Sequence, residues 1–529
     1  MRVRANDDHQ RKGSVVTERH LESVAVISRS IFRNFLPSLA RLLRDRNGSK
    51  IHLYCVTPEQ KREYEQIGAG GLFESVNAVD YIWPDTWRED LNEDEVFARG
   101  RANEQRYGVT INNLAVGNRV LGRGYALGGF HYARSPQSEG LRYVHVVHAF
   151  NEHFAFWENE VRTKGLTMMV QPGRVEAIVA RAHGLPVRCM EPARLGPRYL
   201  WAVDEFQTCP DIKEAYDRIL DVDDAPTIEQ PTLGHLNARK RALAMGSWTG
   251  MARNMAYAVA QKAYWTLRGY KKAKTFSLRQ NFAYRLRQKR DLAQVTAPDL
   301  PTLDSVAKRP FVFFTLHTEP ERSLQGLSPE YFYQLSAIAA ASRDLPAGFM
   351  LAVKEHSISV GQRPTDFYRQ IRDFKNVALI DVRNYGIDVV KRCAGVVTIT
   401  GSIGVEAASM GKPVVVFGRH TSYSFLPHVR VVTDEAQLAG YLNDLLCGDY
   451  DGARAARDGK RLLKALQEIS FDMDRRIDSN PRAYDDKILE NAYKGLIASM
   501  RHGVVLADPV TGALVAPSVP RPQVAGIQR

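Results

Sequence analysis

The chain has 529 residues, more than one hydrophobic core normally serves, so two or more domains are expected. Hydrophobic residues make up 44% and charged residues 25% of the sequence, which is typical of a folded globular protein and excludes a disordered or fibrous one. The net charge of +13 at pH 7 is concentrated in residues 231–290, which contain fourteen Lys or Arg and no Asp or Glu, so the rest of the chain is close to neutral.

The first twenty residues are polar, lack the apolar segment of a secretory signal and are expected to be disordered. No run of about 18 apolar residues occurs, which predicts a chain without a membrane-spanning helix. The five cysteines are scattered and include no CxxC pair, so neither a disulfide framework nor a zinc site is predicted. We therefore expect a cytoplasmic protein without a metal or cofactor.

Residues 21–230 are predicted to form a first α/β lobe. Apolar stretches at 24–27, 50–56, 141–150 and 166–173 are predicted strands, and each is followed by an amphipathic segment predicted to be helical. This alternation is typical of a parallel sheet covered by helices on both faces.

Residues 231–305 interrupt this alternation and are predicted to be a basic helical connector. Aromatic residues occur among its cations: Trp248, Tyr257, Tyr264, Trp265 and Tyr270. This composition suits an anionic membrane surface, with peripheral attachment to the inner membrane. An anionic glycan, a lipid-phosphate acceptor or a basic surface of no special role remain alternatives, and nucleic acid is not expected because no nucleic-acid-binding fold accompanies the patch.

Residues 306–500 contain a second series of predicted strands and helices, and residues 501–529 are expected to be a flexible tail. Predicted strands include "PFVFFTLH" at 310–317, "GFMLAVKEH" at 348–356 and "GVVTIT" at 395–400. Two such lobes joined by a connector indicate an enzyme whose site lies in the cleft, at the carboxyl ends of the strands.

The segment "TITGSIGVEAASMGKPVVVFG" places a small-residue turn between a strand and a short helix. Ser402 and Gly404 lie where a helix N-terminus offers N–H groups to a phosphate, and glycine lets the backbone approach a ligand. Glu406 follows in the first turn of the helix, where its carboxylate could accept hydrogen bonds from ribose hydroxyls. The same spacing also fits an ordinary β-α-β corner.

Two further strand ends carry polar groups suited to an anionic ligand. Lys354 and His356 end the strand in "VKEHS", and His317 follows the strand "FVFF". Lysine and histidine can bind a phosphate, and histidine can also protonate a leaving group. Solvated loop residues are the alternative interpretation at both positions.

Three of these motifs, "FFTLHTEPER", "LAVKEH" and "TITGSIGVEAASMGKPVVVFG", resemble the capsular polysaccharide synthesis and export glycosyltransferase family. That family consists of GT-B enzymes related to the transferases for 3-deoxy-manno-octulosonic acid, and the resemblance covers about residues 310–440. Its members commonly carry proline after the histidine of the second motif, where this chain has Ser357. The third motif is also similar to the donor lobes of sugar-nucleotide 2-epimerases and of glycerophosphotransferases for teichoic-acid-like polymers.

The resemblance implies an α/β fold that is GT-B-like, with two Rossmann-like lobes and the basic helical connector. It implies a nucleotide-sugar donor on the C-terminal lobe and an acceptor on the N-terminal lobe. The donor-binding residues would be His317, Lys354, Ser402, Gly404 and Glu406, with His356 close to the donor phosphate.

The N-terminal lobe offers candidates for the chemistry in residues 121–160. A glycosyltransferase that inverts the anomeric configuration needs a base for the acceptor hydroxyl. We predict Glu152 for this role, with His148 and Glu158 as alternatives, and His356 as the second catalytic residue. Arg134, Asn151 and Glu158 are predicted to bind the acceptor. The same residues could also belong to a solvated amphipathic helix.

We therefore expect a glycosyltransferase, transferring a hexose or an ulosonic acid, that uses a CMP- or UDP-type donor. Its acceptor would be a capsular or other surface polysaccharide, or a lipid-linked precursor. The alternatives are a sugar-nucleotide 2-epimerase and a non-catalytic polysaccharide assembly or export protein of the same fold.

Overall fold

The computed structural model describes most of the chain at the level of individual residues. The described residues are 20–28, 32, 34–79, 90–118, 142–228, 233–270, 273, 276–319, 322–473, 485–504, 506–507 and 514–515. Most of the predicted disordered N-terminus and flexible tail, together with Arg134, lie outside them.

The strands form two large sheets and one small hairpin. In chain order they are β1 Ser23–Ile27, β2 Lys50–Cys55, β3 Ser75–Ala78, β4 Met168–Val170, β5 Val187–Pro192, β6 Arg198–Ala202, β7 Phe311–Thr315, β8 Met350–Lys354, β9 Val377–Ile380, β10 Gly395–Thr398, β11 Val414–Val416, β12 Val429–Val431, β13 Phe471–Asp472, β14 Leu506–Ala507 and β15 Leu514–Val515.

Helices follow most of the strands and cover the sheets. They are α1 Phe35–Asn47, α2 Pro58–Ile67, α3 Glu93–Tyr107, α4 Ile111–Val116, α5 Tyr143–Thr163, α6 Arg174–Ala182, α7 Pro210–Arg218, α8 Leu233–Ala244, α9 Trp248–Leu267, α10 Leu278–Val295, α11 Leu303–Val306, α12 Gln334–Asp344, α13 Phe367–Asp373, α14 Gly386–Arg392, α15 Ser402–Ser409, α16 Leu438–Cys447, α17 Gly452–Ile469 and α18 Asp486–Ser499. Within the described ranges, none of these helices is long and apolar enough to cross a membrane.

The N-terminal lobe is built on a seven-stranded sheet in the order β13-β6-β5-β4-β1-β2-β3. All its strands run in one direction except β6, which is antiparallel to both of its neighbours, β5 and β13. The strand predicted at 141–150 is wrong, because residues 143–150 form the first turns of α5. One face of this helix is buried, with apolar residues at helical spacing: Val144, Val147, Phe150 and Phe154. Packing of this face favours a helix over a strand here.

The C-terminal lobe is built on a six-stranded parallel sheet in the order β12-β11-β10-β7-β8-β9. The central strands are almost fully buried because helices cover both faces, and this explains their continuous apolar runs. The carboxyl ends of β7, β8 and β10 therefore meet at one edge of the sheet. The predicted GT-B-like fold class, α/β with two Rossmann-like lobes and a basic helical connector, is confirmed.

The connector consists mainly of α8, α9 and α10. Helices α9 and α10 pack against each other, and Ala258, Trp265 and Phe276 belong to a small apolar cluster of this region. At the end of α10 the carbonyl of Val295 accepts the backbone N–H of Val382, which ties the connector to the C-terminal lobe.

The chain returns to the N-terminal lobe after α17. Strand β13 pairs with β6, and α18 packs against α1 and β6, with Tyr493 and Leu496 in the apolar cluster of that lobe. The predicted C-terminal lobe of 306–500 is therefore too long, because residues 471–500 complete the N-terminal lobe. A short edge strand and one amphipathic helix do not reveal from sequence which lobe they join.

Candidate functional site

A tight turn joins β10 to α15 and forms one wall of the site. The Gly401 N–H donates to Thr398 Oγ1 at 3.1 Å, and α15 begins directly afterwards at Ser402. A Cβ atom at Gly401 would lie 2.8 Å from Thr398 Oγ1, so the turn leaves no room for a side chain there. The arrangement turns the N-terminus of an eight-residue helix towards the cleft described below.

His317 fixes this turn to the end of β7. Its Nε2 atom accepts the backbone N–H of Thr400 at 3.0 Å, which assigns the ring proton to Nδ1. Gln334 holds the backbone of His317 through both its N–H and its carbonyl, at 2.7 and 3.1 Å. Burial lowers the pKa of His317 to about 3, and the charge of Arg363 acts in the same direction. The ring is therefore neutral at physiological pH. The predicted role of His317 as a positively charged group that binds the donor phosphate is wrong.

Lys354 ends β8 and points a cation into the same region. The side chain is buried, and its Nζ atom donates to the carbonyl of Glu355 at 3.2 Å. Burial lowers the pKa of Lys354 to about 8, although the carboxylate of Glu355 opposes this effect. An anionic ligand would restore charge balance around this ammonium group.

A buried ion pair behind Lys354 sets the conformation of the strand end. Glu355 accepts two bonds from the Arg363 guanidinium at 2.6 and 2.7 Å, one from the Tyr368 hydroxyl at 2.8 Å and one from the His356 N–H at 2.6 Å. Arg363 also donates to the carbonyl of His317 at 2.6 Å. Burial alone would raise the pKa of Glu355, but Arg363 and these hydrogen bonds lower it below its usual value. The pair therefore positions both histidines of the site.

Glu406 lies in the first turns of α15 and faces the cleft. Burial raises the pKa of Glu406 to about 7, against the opposing effects of Arg194, the Ser402 hydroxyl and Lys354. Gly404, predicted to approach a ligand, is instead buried against Tyr423, because a Cβ atom there would lie 1.9 Å from the tyrosine hydroxyl oxygen. Its small size serves packing of the turn.

These groups line a cleft of about 570 Å³ beyond the carboxyl ends of the C-terminal strands. Predicted residues that line it are His317, Lys354, His356, Ser402 and Glu406. The cleft is also lined by Arg194 from the loop after β5 and by Arg239 from α8, so the N-terminal lobe and the connector both contribute cations.

Sequence reasoning missed Arg194, Arg239 and Tyr385. Arg194 has a left-handed backbone with φ of 60°. The Arg239 guanidinium stacks over the Tyr385 ring, 3.9 Å from its centroid. The strand-end position of Arg194 in "MEPARLG" is a signal that could have identified it, since loops after parallel strands carry ligand contacts.

The predicted acceptor-side residues do not join this group. Glu152 forms an ion pair with Arg99 at 2.6 Å and is substantially exposed on α5. Asn151 is buried, and its amide donates to the carbonyl of Val96 at 2.9 Å. Glu158 contacts His183 at 2.8 Å and Arg106 at 2.8 Å. All three hold α5 to its neighbours, and none lines the cleft, because the predicted strand before them is part of that helix.

One group of possible metal ligands occurs among the described residues: Asp211, Glu214 and His502. The guanidinium of Arg501 donates to both carboxylates, so a cation already balances them. The group lies outside the cleft and has no evident part in its chemistry.

Residues 215–438 match the sequence model of the family described as "Capsule polysaccharide biosynthesis protein". The family resemblance inferred from the motifs is confirmed. All the cleft residues from His317 to Glu406 lie within the matched residues 215–438, whereas Arg194 lies outside them. None of the curated proteins compared with the chain matches it.

Solved structures of a sugar-nucleotide epimerase and of two glycosyltransferases are similar to the chain at low identity. UDP-GlcNAc 2-epimerase from Neisseria meningitidis, bound to UDP-GlcNAc, is 10% identical over 85% of this chain and 98% of that chain, with a TM-score of 0.27. The beta Kdo 2,4 transferase KpsC from Thermosulfurimonas dismutans is 15% identical over 53% and 80%, with a TM-score of 0.27. The glycosyltransferase SnogD from Streptomyces nogalater is 12% identical over 84% and 95%, with a TM-score of 0.25. Likeness of this degree carries no functional conclusion.

Proposed function

We propose that the chain is a glycosyltransferase that moves a sugar from a CMP- or UDP-type donor to a capsular or other surface polysaccharide, or to its lipid-linked precursor. The observation that carries the proposal is the cleft of about 570 Å³, where a buried lysine, a helix N-terminus and an acidic side chain converge at adjacent strand ends. The match of residues 215–438 to capsule polysaccharide biosynthesis proteins supports the choice of acceptor class.

The donor phosphate would bind between Lys354 and the turn at Gly401 and Ser402. The lysine supplies a positive charge, and the N-terminus of α15 supplies N–H groups and the positive end of the helix dipole. Glu406 would accept hydrogen bonds from the ribose hydroxyls, and Tyr385 offers a flat ring to the base at the other side of the cleft. In this arrangement His356 lies beside the phosphate and can assist departure of the leaving group.

We also propose that the connector attaches the enzyme to an anionic membrane surface on the cytoplasmic side. Large apolar side chains are exposed on α9, with Trp248 66%, Tyr257 65% and Leu267 88% exposed. Cations accompany them: Lys289 Nζ lies 4.5 Å from the Trp248 ring centroid. Aromatic rings at headgroup depth and lysines near anionic lipids both favour such attachment.

A nucleotide panel tests the donor assignment. Purified protein is heated with CMP, CDP, UDP or GDP, and at least one of them should raise the unfolding midpoint because it binds only the folded state. In cells lacking the gene, the wild-type chain should restore surface polysaccharide and Glu406→Ala should not. If no nucleotide shifts the midpoint, the donor site is wrong, and if a nucleotide sugar alone is converted to its epimer, the enzyme is an epimerase.

Vesicle sedimentation tests the membrane assignment. Binding to vesicles containing phosphatidylserine should exceed binding to phosphatidylcholine vesicles and should weaken as salt rises. Leu267→Glu should reduce binding, whereas Leu220→Glu, at a comparably exposed leucine of the N-terminal lobe, should not. Equal binding to both vesicle types would contradict the proposed surface.

A further inference from the structure

A second, smaller cavity of about 50 Å³ lies between the lobes and shares part of its lining with the main cleft. Arg194, Thr400, Gly401 and Ser402 line both, so the two spaces meet at the turn proposed to bind the donor phosphate. A sugar attached to that phosphate would extend either into this cavity or along its mouth. The reacting carbon would therefore lie near the groups that the N-terminal lobe contributes here.

Glu191 is the acidic side chain of the N-terminal lobe that lines this cavity among the described residues. It stands at the carboxyl end of β5 and is 5% exposed. Gln207 donates from Nε2 to Glu191 Oε2 at 3.0 Å and thereby orients the carboxylate. The carboxyl end of a strand in one lobe and the helix N-terminus of the other thus line the same cavity.

Two residues that line the small cavity with Glu191 have a backbone conformation that is unfavourable for residues other than glycine. Arg194 and Gln207 both have left-handed backbones, with φ of 60° and 67°, although neither is glycine. Such residues persist where the surrounding structure enforces them, often at functional sites. Here both residues line the small cavity together with Glu191.

Two other buried acidic groups of the N-terminal lobe stabilise the fold. Glu205 forms a buried ion pair with Arg181, at 2.6 Å between Oε1 and Nη2. Asp204 accepts the backbone N–H groups of Phe206 and Thr208 at 2.9 and 3.0 Å. Neither lines the small cavity, and neither does Glu152.

We infer that Glu191 is the catalytic base, which accepts the proton of the attacking acceptor hydroxyl; this inference rests on the proposed function. The proton passes from the acceptor oxygen to the Glu191 carboxylate as that oxygen forms a bond to the anomeric carbon of the donor sugar. The bond from that carbon to the phosphate oxygen breaks, and its electron pair leaves with the nucleotide. Lys354 and Arg194 stabilise the negative charge that the departing nucleotide gains.

The test uses the full chain and the variants Glu191→Gln and Glu191→Ala. Polymer formation is measured with a soluble extract that supplies nucleotide sugars and membranes that supply the acceptor, both from cells lacking the gene. Binding is measured in parallel as the midpoint shift with CMP and UDP. Glu191→Gln should lower the rate by about 10²–10⁴-fold, the usual contribution of a general base, and should keep the nucleotide shift. Added formate should partly restore Glu191→Ala, and Glu65→Gln, at an exposed carboxylate of the same lobe, should remain active.

Several outcomes would overturn the assignment. A Glu191→Gln rate within about tenfold of wild type removes the base role and leaves the proposed function intact. Loss of the nucleotide shift in Glu191→Gln, or failure of formate to restore Glu191→Ala, assigns Glu191 a structural role. A sugar found covalently attached to Glu191 by mass spectrometry makes it a nucleophile. If the wild-type chain neither binds CMP or UDP nor forms polymer, the proposed function fails, and this inference fails with it.

Discussion

His317 Nε2 accepts the backbone N–H of Thr400 at 3.0 Å and so joins the ends of two adjacent strands, β7 and β10. Protonation of Nε2 would abolish this hydrogen bond and place a charge in a buried site. The pKa of about 3 lies below the usual value of 6.5, so the contribution of His317 to stability is complete above pH 6.5 and is lost as pH falls towards 3.

The first prediction follows from this titration. His317→Gln should be less stable than wild type at pH 7.5, and the difference should shrink at pH 4.5, because only the wild-type chain has a histidine to protonate. Urea unfolding at the two pH values measures the difference. A difference that is equal at both values would contradict the role given to the neutral ring.

The second prediction concerns nucleotide binding in alkaline solution. Because the pKa of Lys354 is about 8, its ammonium group is lost as pH rises through that value, and affinity for a nucleotide should fall between pH 7 and pH 9. Lys354→Met should weaken binding by at least about tenfold at pH 7, equivalent to the loss of about 1.4 kcal/mol. Calorimetric titration measures both effects.

The matched control for Lys354 is Lys391→Met. That lysine is 62% exposed and lies 3.9 Å from Asp388, outside the cleft. Its replacement should leave both the affinity and its pH dependence unchanged. If the wild-type affinity is constant from pH 7 to pH 9, Lys354 does not supply the charge that binds the phosphate.

The third prediction concerns Glu406, whose raised pKa has the opposite consequence. Its contribution is most favourable below the usual value of 4.5 and is lost as pH rises through about 7, because ionisation of the buried carboxyl becomes costly. Glu406→Gln should therefore gain stability relative to wild type between pH 5.5 and pH 8.5, by about 2 °C or more in the unfolding midpoint. Scanning calorimetry without nucleotide checks this, and curves that run parallel would refute it.

The fourth prediction concerns the ion pair of Glu355 and Arg363. Glu355→Gln leaves a buried guanidinium without its counter-charge and should destabilise the protein by about 3–5 kcal/mol. Glu435→Gln is the control, because its carboxylate pairs with Arg343 at the surface, at 3.0 Å, and should cost less than about 1 kcal/mol. Denaturant unfolding separates the two, and similar losses in both variants would show that burial of the pair does not matter.

The fifth prediction concerns the contact of Gly404 with Tyr423. Gly404→Ala should cost about 1–3 kcal/mol, because the added methyl group overlaps the tyrosine hydroxyl. Tyr423→Phe removes that oxygen, so the double variant should recover part of the loss. A double-mutant cycle measures the coupling, and strictly additive effects would rule out direct contact.

The C-terminal half of the site could be predicted because parallel strands bring their carboxyl ends together. Apolar runs followed by polar residues identified the strand that ends in Lys354 and the strands that precede His317 and Ser402, although no contact between these residues is visible in the sequence. The prediction of a strand at residues 141–150 was wrong because a short apolar run interrupted by histidines fits a strand as well as a helix. Arg194 and Glu191 were missed because their significance depends on which segment of the other lobe faces them.

The return of the chain at Phe471 has a consequence for synthesis on the ribosome. Strand β6 keeps an unpaired edge until residues 471–472 have been made, and the indole N–H of Trp201 lacks the Ala492 carbonyl, its acceptor at 2.8 Å, until residue 492 has been made. The C-terminal sheet, by contrast, is complete once β12 has emerged. The lobe that begins first is thus finished last, and a nascent chain interrupted before residue 471 would expose a β-edge and an apolar patch to chaperones and proteases.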